Sequence, residues 1–175
     1  FLRGDNSWAA AGVTTLGGLT DVSMDITNFV DGLLIQPNSD GSAPTTGTLD
    51  NAFGNIGIGK AVFGALTSGD YNVALGYDSL AVNTTGAYNV AIGRNSLVTN
   101  TTGSSNVAVG GSAALRRNTT GSSNTALGYN TLEENTTASN NTAVGYGALN
   151  ANTSGAGNIA IGYEALKANT TADDN

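Results

Sequence analysis

Cysteine and histidine are absent from this 175-residue chain, which has one tryptophan, one methionine and two prolines. Without cysteine, the chain cannot form disulfides or thiolate metal sites. Without histidine, it lacks the side chain that most often serves as a general acid or base. The Asp and Glu residues are scattered, and none follow a metal-binding spacing. The sequence therefore predicts a protein that is not an enzyme and binds neither metal nor cofactor.

Charged residues and long apolar runs are also scarce. Charged residues make up 11% of the chain, compared with about a quarter in typical soluble domains, and the net charge is −7. Arg116-Arg117 is the only basic pair, so nucleic-acid binding is not expected. No apolar run approaches the roughly 20 residues of a membrane helix, so membrane insertion is not expected either. Twenty-five glycines and many Asn, Thr, Ser and Ala residues instead point to sequence repetition.

A 17-residue repeat occurs in tandem over most of the chain. Each copy opens with Asn-x-Ala-hydrophobic-Gly, continues to a Leu and closes with Asn-Thr-Thr or Asn-Thr-Ser. A degenerate first copy begins at Asn55. A fixed period of this kind indicates a solenoid in which each coil stacks in register on the next. The recurring positions of the six full copies are Asn72, Ala74, Gly76, Asn89, Ala91, Gly93, Asn106, Ala108, Gly110, Asn124, Ala126, Gly128, Asn141, Ala143, Gly145, Asn158, Ala160 and Gly162.

One copy is longer than the others by a single residue, which lies between Gly110 and Leu115. Both flanking parts of the repeat stay in phase, so we expect this stretch to be a turn that can absorb an insertion. The strand and the Asn-Thr-Thr loop cannot shift in the same way, because each coil is registered on its neighbours.

Within each copy the apolar residues alternate, as in a short strand with two different faces. Val73, Leu75 and Tyr77 form a bulky face, and Ala74 and Gly76 form a small one. We expect the bulky face to fill the coil interior and the small face to lie against another backbone. That backbone belongs either to the far wall of the same coil or to a partner chain. The partner chain is preferred because so short a coil encloses little core; a bulge at the glycine is the remaining alternative.

Two further positions have both a structural and a functional interpretation. The Asn-Thr-Thr loops match the acceptor pattern for N-glycosylation, but a structural turn that stacks into Asn and Thr ladders is favoured. The position of Tyr77 recurs as Tyr129, Tyr146 and Tyr163, with Lys60, Arg94 and Gly111 in the other copies. Aromatic stacking from coil to coil is the favoured interpretation, and a stripe of glycan contacts is the alternative.

The repeat resembles the Asn-x-Ala-hydrophobic-Gly…Leu…Asn-Thr-Thr-Gly arrays of phage tail-fibre proteins. A related motif, Asn-Ser-x-Ala-Ile-Gly, occurs in the heads of trimeric autotransporter adhesins, where the repeat is usually shorter. The opening segment from Phe1 to Ala9 and the segment from Leu19 to Val22 also resemble the junctions that precede such arrays. The resemblance implies a homotrimeric fibre that associates with other virion proteins and with a host-cell glycan or protein.

The expected fold is all-β, a β-roll or β-solenoid of 17-residue repeats in an elongated homotrimeric fibre. Residues 1–54 are predicted to be an N-terminal adaptor, cap and linker, and residues 55–175 the repeat shaft. The expected function is a structural or adhesive segment of a phage tail fibre in the virion. The head of a bacterial surface adhesin is the alternative, and an ice-binding β-solenoid is a weaker one because adjacent Thr84 and Thr85 would point in opposite directions in a strand.

Overall fold

The computed structural model describes residues 52–175 and three short strands that precede them, at 22–23, 29–30 and 33–35. The rest of the predicted adaptor, including the Phe1 to Ala9 segment that resembles a fibre junction, lies outside the described residues. The described residues contain strands and turns and no helix. The prediction of an all-β chain is thereby confirmed.

Each repeat contributes one short strand that begins directly after its opening asparagine. Four strands come before the repeats: β1 (Val22–Ser23), β2 (Phe29–Val30), β3 (Leu33–Ile35) and β4 (Ala52–Phe53). The strands of the repeats are β5 (Ile56–Ile58), β6 (Val73–Leu75), β7 (Val90–Arg94), β8 (Val107–Ser112), β9 (Thr125–Leu127), β10 (Thr142–Val144) and β11 (Ile159–Ile161).

The repeat strands stack into one parallel sheet. The strand order is β1-β3-β5-β6-β7-β8-β9-β10-β11, so each repeat lies between its two neighbours in sequence. Equivalent residues face one another in every pair, for example Ala74 opposite Ala91 and Ala91 opposite Ala108. Strands that stay in register over one repeat must be linked by a closed coil that is one repeat long. The fold is therefore a β-solenoid, as the sequence period predicts.

The start of the sheet continues into the segment that the sequence assigns to the adaptor. β3 pairs in parallel with β5, and β1 pairs with β3 in antiparallel fashion. β2 and β4 form a separate parallel pair. The first repeat strand is thus covered by a strand from outside the repeats, which satisfies its backbone hydrogen bonds on that side.

The corners of the coil are built from residues with positive φ. Gly76 has φ +129°, and most equivalent glycines have similar values. The leucine of each full repeat is also left-handed, as at Leu80 with φ 50° and Leu97 with φ 51°. This conformation is unfavourable for a residue that carries a side chain. The left-handed backbone points the leucine side chain into the coil. This side chain is fully buried in every full repeat except the last.

The interior of the coil is narrow and holds small side chains. The alanines of the strands and the leucines after them form one continuous core, with Ala74, Ala91, Leu80 and Leu97 all inaccessible to solvent. The expectation that the bulky strand face fills the coil is therefore wrong, and so is the assignment of the Ala/Gly face to a partner chain. The interior holds Ala, Leu and Asn in the full repeats and Val62 and Phe63 in the degenerate first copy, whereas the Val, Ile and Tyr side chains of the bulky strand face turn outward.

The extra residue of the longer copy is Gly111, and it lies at the end of β8 rather than in the following turn. The register between β7 and β8 shifts after Ile92, and Arg94 pairs with Ser112. This is a β-bulge, in which one extra residue is accommodated without disturbing the rest of the ladder. The sequence located the insertion correctly between Gly110 and Leu115, but the element that absorbs it is a strand.

Candidate functional site

The opening asparagines form a buried column inside the solenoid. The Asn89 backbone N–H and side-chain amide both donate to Asn72 Oδ1, at 2.9 and 3.1 Å. The same Asn89 amide donates to the Gly103 carbonyl at 2.9 Å. Every asparagine of this column from Asn55 to Asn158 is fully buried. Because each asparagine from Asn72 to Asn158 donates from its backbone N–H to the previous asparagine and from its side-chain amide to a carbonyl of its own coil, the column fixes the coil register.

A second asparagine column stands at the Asn-Thr-Thr loops. The Asn100 side-chain amide donates to Asn83 Oδ1 at 2.8 Å and to the Gly103 carbonyl at 2.9 Å. Both asparagines are fully buried. An asparagine whose amide is enclosed and hydrogen-bonded in this way is not accessible to a glycosylating enzyme in the folded chain. The structural interpretation of these loops is the correct one.

The threonine that follows each loop asparagine adds a third ladder. The Thr84 hydroxyl donates to the Thr101 carbonyl at 3.0 Å, and Thr101 repeats this contact with Thr119. The next residue, Thr85, is exposed, as are its equivalents in the other coils. The exposed hydroxyls therefore form a single file. An ice-binding surface needs a flat array of several rows, so this geometry does not favour that alternative.

Two columns of aliphatic side chains cover the outer face of the sheet. The second residue of each repeat points outward, and so does the fourth, as at Val73 and Leu75. Most are half-buried in the single chain, and Ile56, Ile58, Leu127, Ile159 and Ile161 are exposed. The columns run without interruption by charge, although Thr125 and Thr142 replace the first aliphatic residue in two coils. We call this surface the outer apolar face; its members are Ile56, Ile58, Val73, Leu75, Val90, Ile92, Val107, Val109, Thr125, Leu127, Thr142, Val144, Ile159 and Ile161.

A column of aromatic and cationic side chains borders the outer apolar face. Tyr129, Tyr146 and Tyr163 stack with ring centroids 5.5 and 5.3 Å apart, which confirms the predicted coil-to-coil stacking. The Arg94 guanidinium lies over the Tyr77 ring, 5.9 Å from its centroid. Such spacings are favourable for ring stacking and for cation–π contact.

The bulge changes the occupant of this column in the third full repeat. The Asn130 N–H donates to the Ser112 carbonyl, just as Asn95 N–H donates to that of Tyr77. Ser112, and not the predicted Gly111, therefore occupies the column between Arg94 and Tyr129. The aromatic column is interrupted at this point by a short side chain.

A second tyrosine stack lies at the other end of the strands. Tyr71 and Tyr88 each precede an opening asparagine, and their ring centroids are 5.3 Å apart. Sequence reasoning did not identify this pair, although the spacing of one repeat between the two tyrosines is the signal that could have found it.

Two of the three ion pairs among the described residues link the turns of adjacent coils. Arg116 contacts Glu133 at 3.1 Å, and Arg117 contacts Glu134 at 3.2 Å. Arg94 has no carboxylate partner among residues 52–175.

Residues 52–175 contain no cluster of three or more potential metal ligands. None of the described elements is a helix of the length and hydrophobicity needed to cross a membrane.

Comparisons of the chain with protein-family models, with curated proteins and with solved structures gave no match.

Proposed function

We propose that this chain is a rigid segment of a homotrimeric fibre and that the outer apolar face is where its three chains meet. The observation that carries the proposal is the pair of charge-free, mostly aliphatic columns on an outward sheet face. Seven strands at about 4.8 Å make this face roughly 34 Å long. A contiguous apolar patch larger than a few hundred Å² is unusual on a monomer and marks an interaction surface.

The stoichiometry and the biological setting follow from the resemblance of the repeat to phage tail-fibre arrays. In that setting the solenoid is a shaft in the virion that holds or forms the host-attachment appendage. The rigidity needed for such a shaft is supported by the continuous hydrogen-bonded columns, because bending one coil against the next would break contacts such as those between Asn72 and Asn89. The proposed role is structural and adhesive, and no catalytic step belongs to it.

The assembly is tested by measuring the mass of the full chain in solution by light scattering and native mass spectrometry. We expect three times the 17.4 kDa of one chain. Val109→Asp places a carboxylate on the outer apolar face and should dissociate the trimer, because a desolvated unpaired charge is costly. Thr102→Asp places the same charge on an exposed loop and should leave the mass unchanged.

Val109 points out of the coil, so the Val109→Asp chain should keep the far-UV circular dichroism of the parent. A parent chain that is a folded monomer at micromolar concentration would refute the fibre proposal. A trimer that Val109→Asp leaves intact would instead place the chain contacts on another surface.

A further inference from the structure

The interruption of the aromatic column creates a slot between two surfaces that bind rings well. Above the slot lies Arg94, which is stacked on Tyr77. Below it lies Tyr129, whose other face is covered by Tyr146. Ser112 is the only column residue between Arg94 and Tyr129. The face of the Tyr129 ring on this side therefore has no aromatic neighbour among the described residues, and Tyr129 is 46% exposed.

The height of the slot follows from the stacking of the coils. Arg94 and Tyr129 are two coils apart, which corresponds to about 9.6 Å along the axis. A ring placed between them needs van der Waals contact of about 3.5–4 Å on each side, or about 7–8 Å in total. Beside the slot, Gly111 adds no side chain, and a Cβ there would meet nothing within 4 Å. One six-membered ring fits at this level, whereas an uninterrupted tyrosine column would leave no space.

The chemistry of the slot favours an anionic ring. Arg94 has no carboxylate partner among residues 52–175, and a guanidinium binds a carboxylate through two parallel hydrogen bonds. The Tyr129 face provides an apolar, electron-rich surface of the kind that packs against the C–H bonds of a pyranose, and the Ser112 hydroxyl can both donate and accept. We infer that the slot formed by Arg94, Ser112 and Tyr129 binds a pyranose that carries a carboxylate.

This inference is a more specific form of the proposed adhesive role, since it names the class of ligand and the coil that binds it. Tyr146 and Tyr163 offer no equivalent site. Both faces of Tyr146 are covered by its neighbours in the stack, and Tyr163 has no arginine opposite it among the described residues. The slot results from the short side chain of Ser112, which stands where other coils of the column have tyrosine.

The test is saturation-transfer NMR on the full chain with methyl α-D-glucuronide as the probe and methyl α-D-glucoside as the uncharged comparison. We expect transfer from the protein to the ring protons of the glucuronide and at least about fivefold weaker binding of the glucoside, which lacks the charge-assisted contact. Tyr129→Ala should abolish binding. Arg94→Gln should weaken it about tenfold, the effect of losing one charge-assisted contact.

Two further variants separate a binding effect from a folding effect. Ser112→Tyr fills the slot and completes the aromatic column, so it should abolish glucuronide binding while the melting temperature stays the same or rises. Tyr163→Ala removes an exposed tyrosine of the same stack and should leave binding intact. Equal binding of both sugars, or unchanged binding by Ser112→Tyr, would overturn the inference.

The outcome is independent of the mass measurement that tests the fibre. A trimer that does not bind glucuronide would refute the slot and leave the fibre proposal in place. A monomer whose glucuronide binding is abolished by Ser112→Tyr would refute the fibre and support the slot.

Discussion

Asn106 lies in the middle of the column of opening asparagines, and every hydrogen-bonding group of its side chain is used. Its Nδ2 donates to Asn89 Oδ1 at 3.1 Å and to the Gly121 carbonyl at 2.9 Å. Its Oδ1 accepts from the backbone N–H of Asn124 at 3.0 Å and from the side-chain amide of Asn124 at 3.2 Å. An amide has two donors and two acceptor positions. Asn106→Ala therefore removes four hydrogen bonds at a site that solvent does not reach.

The four losses differ in cost. The backbone N–H of Asn124 is left buried without a partner, which costs about 2 kcal/mol. The Gly121 carbonyl, Asn89 Oδ1 and the Asn124 side-chain amide each keep one other hydrogen bond. Their lost bonds cost about 1 kcal/mol each. We expect Asn106→Ala to lower the free energy of unfolding by about 5 kcal/mol, a large part of the stability of a domain of this size.

The measurement is urea unfolding followed by far-UV circular dichroism at one fixed protein concentration, because association makes stability depend on concentration. Thr102→Ala is the matched control, since this threonine is exposed and lies outside the buried columns; it should change stability by less than about 0.5 kcal/mol. If the free energies of unfolding of Asn106→Ala and Thr102→Ala differ by less than about 1 kcal/mol, the asparagine column does not hold the coils in register.

Two further changes test the corner geometry and the ion pair between Lys167 and Glu164. Gly93→Ala should destabilise the fold by about 3 kcal/mol or more, because Gly93 has φ +123° and a Cβ there would overlap the Gly110 carbonyl. Gly111→Ala is the control, because a Cβ at Gly111 would meet nothing within 4 Å; it should shift the melting temperature by less than about 3 °C. Equal shifts for the two variants would contradict the close contact between Gly93 and the Gly110 carbonyl. A hydrogen bond with Glu164 raises the pKa of Lys167 above its ordinary 10.5, so its contribution to stability is complete below pH 10.5 and is lost as the pH rises through the raised value. NMR titration of the Lys167 side chain should give a lower pKa in Glu164→Gln than in the parent, and an unchanged value would contradict the pairing.

The period and the strand positions were predictable because they rest on local rules. The Asn-x-Ala-x-Gly pattern fixes which residues share a strand face, and that division between Ala74 and Val73 is found in the structure. The repeat spacing also places Tyr129, Tyr146 and Tyr163 at one position, so their stacking was predictable. These features follow from strand alternation and from register, both of which are visible in one sequence.

Which face turns inward was not predictable from alternation alone, because it depends on the width of the coil. The corners at the leucines were not predictable either, because a residue with a Cβ disfavours positive φ. Leu80 and its equivalents nevertheless adopt φ near 50°. The left-handed corner places the side chain in the core, and burial there offsets the local cost. The bulge at Gly111 was located by counting residues, but only the pairing of Arg94 with Ser112 identifies it as part of a strand.

The inward turn of the small face strengthens the argument for assembly. The interior of each full repeat buries only alanines and one leucine as apolar side chains, so it gives the coil modest hydrophobic stabilisation. The buried asparagines define the register, but hydrogen bonds exchanged for those with water add only about 1 kcal/mol each. The aliphatic side chains with the larger area, such as Leu75 and Ile92, stand on the outer apolar face. Covering that face with other chains would give the coils the hydrophobic burial that their narrow interior lacks.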